Sequence, residues 1–483
     1  MRRLVAADSL LLFLFATGCA QYHEKPLSHD VIESRLNPPI DQELSVATSK
    51  LKHPILRPLP VDFTRGITPS QAAVVAVVLN PMLVSARSQR ATAEAQLLQA
   101  GILPNPQLVY EFAHPIGGGV LAGTNNGFSV GFDWDVQELI SQGARVDAAK
   151  AEVKSVQLDI GWQEWQTAEV AEQAALDVLA AESQRQADDD VARRLLDNFN
   201  LVRTAVDQHQ KTLLDLAGAE SAYRDASAIF LQARRDENHS RLMLNRALGL
   251  PPDTRIRVVN DNGQTALPSR YDPPAANTLI DGLEDRRLDL LALKLGYESQ
   301  EQTLRAAVLA QFPKLNLGLS RATDTTNVHS LNFGFTMDIP IFDRNQGAIA
   351  AETATRQRLF DEYTQRIFEA RSDIALAIDS IQAVNAQIAD AEAAMPGLQR
   401  LVDTYKSSSQ QGNVDVLSYY GAQIQLAQKS VAILQLKQQL ADLRIALQTA
   451  SGQFLPEPEA AATESNQTPP IQSIGSVPPS TRP

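Results

Sequence analysis

The sequence predicts a mainly α-helical protein with a small β part, in which one unit of a β-hairpin and a long helical hairpin occurs twice. Three observations support this fold class. Two segments alternate strictly between apolar and polar residues, long stretches without Pro are rich in helix-forming residues, and matching residues recur at one fixed spacing. The chain has 483 residues, a length that allows two or three ordinary domains.

The duplication is visible in residues that lie 203 positions apart. The matching pairs are Gly131 with Gly334, Leu214 with Leu417, and Gly249 with Gly452. Because one offset holds over more than a hundred residues, chance is a poor explanation. We predict a first repeat at 67–251, a linker at 252–274 and a second repeat at 275–456.

Each repeat carries one β-hairpin with a polar tip. The second strand of each hairpin alternates with a period of two, which gives a strand one apolar and one polar face. The apolar positions are Phe128, Val130, Phe132 and Trp134 in the first repeat and Leu331, Phe333, Phe335 and Met337 in the second. Shorter partner strands precede them near 108–112 and 315–319.

Strands of ~9–11 residues with one apolar and one polar face are typical of a transmembrane β-barrel, whose lipid-facing residues would be the apolar set. A soluble sandwich is the ordinary alternative, but these four strands are the only strong ones in a chain that otherwise favours helix. Four strands are too few to close a barrel, because the smallest known barrels have ~8. A membrane form would therefore need two copies with eight strands, which enclose only side chains, or three with twelve, which leave a lumen.

Three carboxylates are predicted on the polar strand face, and they are candidate barrel-lumen acids: Asp133, Asp135 and Asp338. In a trimer they would place nine negative charges in the lumen and favour cations by electrostatic focusing. Ordinary solvation of a polar strand face explains these residues almost as well.

Long helices follow each hairpin. Apolar residues there recur at alternating spacings of three and four, which is typical of a coiled-coil seam. A helix over 143–203 would be ~90 Å long, which exceeds a compact domain. Turns are predicted at 204–211 and 407–413, and helix ends at Gly249 and Gly452. Pro396 is expected to kink or break the long helix of the second repeat.

Both ends of the chain have the composition of segments outside the repeats. A basic start, an apolar run and small residues before Cys19 predict a signal peptide at 1–18 and lipid attachment at Cys19, with an ordinary signal peptide as the alternative. The Pro-rich segment 19–66 predicts a lipidated extended arm. The segment 457–483, rich in Pro, Ser and Thr, predicts a disordered tail.

Composition and motifs argue against several classes of function. The net charge of −13 argues against a nucleic-acid partner, and the single Cys excludes a disulfide framework. The seven His are scattered without the spacing of a metal site, and no P-loop or dinucleotide fingerprint occurs. We therefore expect no catalytic residues, no metal site, no cofactor and no enzyme activity.

Four stretches carry a resemblance to a known family. They are 80–83 (Asn-Pro-Met-Leu), 103–108 (Leu-Pro-Asn-Pro-Gln-Leu), 339–347 (Ile-Pro-Ile-Phe-Asp-Arg-Asn-Gln-Gly) and 411–417 (Gln-Gly-Asn-Val-Asp-Val-Leu). With these stretches the chain resembles the outer-membrane efflux protein family, the TolC family, over nearly its whole mature length. The second and third are most similar to the outer-membrane subunits of heavy-metal (CzcC-like) resistance-nodulation-division efflux systems.

The resemblance implies a homotrimer with a 12-stranded transmembrane β-barrel that continues as a periplasmic α-helical barrel. It also implies that the helical tips dock on a periplasmic adaptor (membrane fusion) protein and an inner-membrane resistance-nodulation-division pump. Acylated members of the family agree with lipid attachment at Cys19. Asp415 matches an acidic position near the periplasmic constriction of related channels, so it is a gate candidate.

The resulting hypothesis is an outer-membrane channel subunit of a tripartite efflux pump. It would passively conduct metal cations or small toxic compounds from the periplasm to the outside. The expected location is the cell outer membrane, in contact with its lipid, with a lipid anchor and a part that extends into the periplasm. The alternative is a periplasmic coiled-coil scaffold or adaptor lipoprotein that forms no pore.

Overall fold

The computed structural model describes residues 21–38, 42–116, 124–259, 267, 270–410 and 416–455. It divides the chain into two compact units, 1–39 and 40–483. The predicted signal peptide, Cys19, Asp415 and the predicted tail at 457–483 lie outside the described residues.

The first unit contains helix α1, His29–Leu36. Asp30 in its first turn and Arg35 in its last turn complement the helix dipole. The second unit begins with helix α2, Gln42–Ser49. The prediction of a wholly extended arm over 19–66 was therefore wrong for these two Pro-free segments, where local helix formation prevails.

After α2, the chain is held against the long helix of the first repeat by His53. Its Nε2 lies 2.9 Å from the backbone oxygen of Gly161. Its Nδ1 accepts hydrogen bonds from the backbone N–H groups of Ile55, at 3.1 Å, and Leu56, at 3.0 Å. The neutral imidazole thereby orders this segment of chain.

The first repeat runs in the order helix, helix, hairpin, helical hairpin. Its elements are α3 Pro69–Leu79, α4 Pro81–Gly101, β1 Gln107–Ala113, β2 Gly127–Asp135, α5 Gln137–Asp207 and α6 Leu213–Leu248. Thr212 begins α6 with a capping box, in which its hydroxyl accepts from the Asp215 N–H and the Asp215 carboxylate accepts from the Thr212 N–H. Gly249 ends α6 at a φ of +75°, the left-handed conformation that favours glycine.

The second repeat follows the same order, with one additional short helix before its hairpin. Its elements are α7 Ala276–Ile280, α8 Leu283–Arg286, α9 Leu288–Leu309, β3 Leu315–Thr323, β4 His329–Met337, α10 Gln346–Gln410 and α11 Val416–Ser451. Gly452 follows α11 at a φ of +65°. Helix α10 continues through Pro396, so the predicted break does not occur there.

In each repeat the end of one helix lies against the start of another. Beyond α6, a Cβ on Gly249 would lie 2.7 Å from Cδ of Pro81, the first residue of α4. Beyond α11, a Cβ on Gly452 would lie 2.5 Å from Cγ of Arg287, the residue before α9. Each repeat therefore pairs one uninterrupted helix, α5 or α10, with a column of two shorter helices.

The core of the helical part consists of separate apolar clusters around these junctions. One cluster joins α3, α5 and α6 around Ile67 and Leu248, and another joins α7, α8, α10 and α11 around Leu279 and Ile374. Within the described residues no single helix has the length and apolar character to cross a membrane. The pair α3 and α4, bent by 49°, meets those criteria only when both helices are taken together.

Candidate channel-lining and membrane-facing surfaces

The two hairpins form one four-stranded antiparallel sheet in the order β1-β2-β3-β4. The pairing confirms all four predicted strands. In β2 and β3, Phe132 is opposite Leu319, and Leu319 is in turn opposite Phe333 of β4. This register places the predicted apolar residues of both repeats on one face of the sheet.

The apolar face is exposed in the single chain. The exposed fractions of the β4 side chains are 75% for Leu331, 75% for Phe333, 68% for Phe335 and 50% for Met337. In β2, Phe128, Val130 and Phe132 are also exposed. Large apolar side chains this exposed on one continuous face indicate a surface that is covered in the working state of the protein.

Trp134 differs from the rest of the predicted lipid-facing set. It is half-buried, and its indole N–H donates to the backbone oxygen of Pro104 at 2.8 Å. This bond fixes the helix-proximal end of the sheet, where an amphipathic indole with its polar group satisfied is commonly found.

The opposite face of the sheet is polar, as predicted. Asp133 is opposite Gly318, which is opposite Gly334. A Cβ on Gly318 would lie 2.5 Å from Oδ1 of Asp133, so this glycine leaves room for the carboxylate. Small residues beside Asp133 keep its charge on an open polar surface.

The other two predicted acids occupy the ends of strands. Asp135 closes β2, and its Oδ1 accepts a hydrogen bond from the N–H of Gln137, the first residue of α5, at 2.9 Å. Asp338 follows β4 and is exposed. Its backbone N–H donates a hydrogen bond to the backbone oxygen of Lys314 at 3.1 Å. The structure therefore brings the three acids to one end of the sheet, where strands continue into helices.

One exposed cation on the apolar face, Arg321, was not predicted from the sequence. Arg321 lies opposite Val130 of β2 and Leu331 of β4. The predicted strand ended near residue 319, whereas β3 continues to Thr323. The run Ser-Arg-Ala-Thr has no apolar alternation, so only pairing with its neighbours extends the strand.

The outer edges of β1 and β4 have no neighbouring strand within the described part of the chain. Both strands lie in the only sheet described, and their outward N–H and C=O groups face away from it. Such edges are templates for pairing with another chain.

The turn between α5 and α6 exposes several large apolar side chains at the end of the helical part. Leu201, Leu213 and Leu214 are 67%, 76% and 82% exposed. The turn of the second repeat at 411–415 lies outside the described residues, so the position of Asp415 stays a prediction.

The two repeats meet in a buried polar contact between α5 and α11, which we call the inter-repeat seam. Its residues are Glu169, Glu172 and Asp177 of α5 and Gln438, Asp442 and Arg444 of α11. Arg444 donates to Glu172 at 3.2 Å, and Gln438 donates to Asp177 at 2.6 Å.

Burial raises the pKa of three carboxyls in the seam, those of Glu169, Asp177 and Asp442. Desolvation, aided by the nearby charge of Glu172, raises the pKa of Glu169 to about 9. Desolvation and the charge of Asp177 raise the pKa of Asp442 to about 6. Glu169 is therefore neutral at pH 7. Periodicity does not reveal this seam, because its partners lie more than 250 residues apart in sequence.

Within the described residues, no group of three His, Cys, Asp or Glu side chains has the geometry to hold a metal ion. The two histidines at the hairpin tips have other neighbours. His114 lies 2.7 Å from the side-chain oxygen of Asn126, and His329 lies 2.9 Å from the hydroxyl of Thr323.

Comparisons with known proteins agree with this architecture. Residues 279–453 match the family described as "Outer membrane efflux protein". The chain is therefore similar to the outer membrane efflux protein family over most of its second repeat. The fold also matches CusC, described as forming a transmembrane channel, with 20% identity, 84% of this chain and 98% of that chain covered, and a TM-score of 0.65. The match to VceC of Vibrio cholerae has 18% identity, covers 80% and 96% of the two chains, and has a TM-score of 0.65.

A curated relative of this chain is the pyoverdine export outer membrane protein OpmQ of Pseudomonas aeruginosa. It is 27% identical over 175 residues, which are 34% of this chain and 36% of the relative. The match therefore spans about a third of the relative's length.

Proposed function

We propose that this chain is an outer membrane efflux protein, the channel subunit of a tripartite efflux pump. Three copies would close a 12-stranded barrel in the outer membrane, continue it as an α-helical barrel into the periplasm, and passively conduct solutes outward. The observation that carries the proposal is the sheet itself. Its apolar face is exposed, its opposite face is polar, and both of its edges are open in the described residues.

Closure follows from the energy of the open edges. In lipid, each unpaired backbone group costs several kcal/mol, so an open four-stranded sheet is excluded from the hydrocarbon region. Because β1 and β4 run in opposite directions, β1 of one copy can pair in antiparallel fashion with β4 of the next. Twelve strands then remove every edge and leave a lumen.

The polar face would line that lumen. Asp133, Asp135 and Asp338 would form rings of negative charge in the trimer, which favour the passage of cations. The proposed cargo is therefore metal cations or small toxic compounds, with cationic species passing more readily. Transport needs no catalytic residue, so the proposed function is not enzymatic.

The proposed partners meet the opposite end of the molecule. Exposed leucines at the α5–α6 turn, such as Leu213 and Leu214, offer apolar contacts to a periplasmic adaptor protein and, through it, an inner-membrane resistance-nodulation-division pump.

We propose that acylated Cys19 anchors the chain to outer-membrane lipid and that Asp415 contributes to a periplasmic gate. Metabolic labelling with palmitate, with Cys19→Ser as the control, tests the anchor.

Reconstitution in planar lipid bilayers tests the channel. We expect discrete conductance steps and a trimer on gels that dissociates only on heating. A water-soluble protein without conductance would instead support the periplasmic scaffold or adaptor. That alternative is not favoured, because it leaves the apolar face of the sheet in water.

Charge selectivity tests the lumen. Asp133→Asn is expected to lower the permeability ratio of K⁺ to Cl⁻, because it removes three lumen charges from the trimer. The matched control is Asp272→Asn, at an exposed carboxylate in the linker. Equal selectivity in both variants would place Asp133 outside the conduction path. For Asp415→Asn, an unchanged closed-state conductance would remove Asp415 from the gate.

A further inference from the structure

A cavity of about 720 Å³ lies between α5, α10 and α11, beside the start of α9. Its walls come from both repeats and combine apolar and charged side chains. Leu376 of α10 and Leu443 of α11 supply apolar surface, and Trp162 of α5 supplies an aromatic ring. A cavity of this size is in the range that holds a small organic molecule.

Acids outnumber the available cations in the lining. The cavity contains the carboxyls of Glu169, Asp373 and Asp442 and the guanidinium groups of Arg287 and Arg366. Both guanidinium groups lie against one other carboxylate, that of Asp289. Arg287 binds it through two bonds of 2.9 and 2.7 Å, and the Arg366 Nη1 atom lies 3.5 Å from it. The cavity therefore has a local excess of acid.

Glu169 is the residue that points to a ligand. Only 4% of it is exposed, and its Oε2 has no hydrogen-bond partner among the described residues. The nearest cation, Arg444, donates to Glu172. Asp442 similarly has an Oδ1 without a hydrogen-bond partner, although Gln173 hydrogen-bonds its carboxyl group and the charge of Asp177 lies nearby. Buried carboxyl oxygens without hydrogen-bond partners are unfavourable, and a positively charged ligand would supply a partner to Oε2 of Glu169 and Oδ1 of Asp442.

We propose that this cavity binds a small organic ammonium ion, with its charged group at Glu169 and its apolar part against Leu376 and Leu443. A metal ion is a poorer fit, because the described residues offer no set of three ligands. An ammonium group needs only one or two oxygen acceptors and tolerates variable geometry. Bound there, the ion would join helices of both repeats. Binding of an ammonium ion in this cavity does not require the protein to conduct ions. The binding proposal and the channel proposal can therefore fail independently of each other.

Proton release distinguishes this site from an ordinary charged surface. Burial keeps the pKa of Glu169 at about 9, so the carboxyl is protonated before a cation arrives. Binding an ammonium ion at pH 7.5 favours the carboxylate and releases about one proton per ion. A purely structural Glu169 would show no such release.

The experiment is isothermal titration calorimetry of the full-length protein in detergent, with n-butylammonium chloride as the probe and n-butanol as its uncharged counterpart. We expect a Kd of about 1 mM or tighter for the ammonium salt. Titrations in two buffers of different ionisation enthalpy should give the proton release. The uncharged alcohol should bind at least about tenfold more weakly.

Two cavity variants and one control complete the test. Glu169→Gln is expected to weaken binding at least about tenfold and to abolish proton release, while Asp442→Asn is expected to weaken binding by a smaller factor. Asp379→Asn, at an exposed acid of α10 outside the lining, should bind as the unmodified protein does. No detectable binding, equal binding of the alcohol, or unchanged binding by Glu169→Gln would overturn the proposal.

Discussion

Replacing Arg287 by Met should destabilise the helical part by about 3 kcal/mol. Arg287 is buried at the junction of α11 and α9, where it makes two bonds to Asp289 and donates to the backbone oxygen of Ala450 at 3.0 Å. Its guanidinium carbon also lies 4.7 Å from the centre of the Trp162 ring. The Met side chain fills similar volume but leaves the Asp289 carboxylate buried without its main partner.

The magnitude follows from the remaining surroundings of Asp289. Removing one member of a buried ion pair costs about 3–5 kcal/mol. Arg366, with its Nη1 atom 3.5 Å from Asp289, compensates in part, so the lower end of that range is expected. The exposed pair Arg358–Glu362, at 3.2 Å, is the matched control, and Arg358→Met should cost about 0.5 kcal/mol.

Urea unfolding of the detergent-solubilised protein, followed by circular dichroism at the helix band, measures both changes. The midpoint should fall for Arg287→Met at an unchanged slope. Adding Asp289→Asn should recover part of the loss, because the uncompensated charge is then gone. A cost for Arg287→Met no greater than that of Arg358→Met would refute the reasoning.

Three further variants or conditions test other contacts. Gly452→Ala should lower the free energy of unfolding by about 2 kcal/mol or more, because a Cβ there meets Arg287 and the φ is +65°. The control is Gly347→Ala, in open space within α10, which should raise the free energy of unfolding by up to about 1 kcal/mol. Thermal melting compares the two variants. Burial lowers the pKa of His53, so the contribution of His53 to stability is full above the ordinary histidine pKa and is lost as the pH falls through the lowered value. The protection factor of the Ile55 amide, which is its exchange rate relative to the intrinsic rate at the same pH, should therefore fall on acidification. Because the pKa of Glu169 is raised to about 9, the contribution of Glu169 to the stability of the fold is full below the ordinary carboxyl pKa and is lost as the pH rises towards 9. Glu169→Gln should therefore raise the free energy of unfolding by on the order of 3 kcal/mol at pH 7 and change it little at pH 4. The midpoints of urea unfolding at the two pH values measure this difference.

The sequence was sufficient for the elements with a clean period. Alternation at Phe128 and Phe333 identified both hairpins, and the glycines at 249 and 452 marked the ends of the helical hairpins. Pro396 does not end α10, because a long helix packed along its length tolerates one missing hydrogen bond. The helices at 29–36 and 42–49 were missed because the Pro residues around them dominated the composition.

The surfaces were harder to foresee than the elements. The alternation placed Asp133 on the polar face, but Arg321 was missed because its side of β3 is defined only by its partners in β2 and β4. The seam residues Glu169 and Arg444 belong to different repeats and acquire their environment only when the repeats fold together. Contacts across such sequence distances have no local signal.

In each repeat, the length of the uninterrupted helix must match the combined length of the two shorter helices beside it. An uninterrupted helix lies beside two shorter ones whose junctions are fixed at Gly249 and Gly452. A seven-residue insertion into α5 alone would shift every contact beyond it by two turns relative to α6. Engineered variants with longer or shorter helical hairpins should therefore keep their packing only when both arms of both helical hairpins change by whole heptads together.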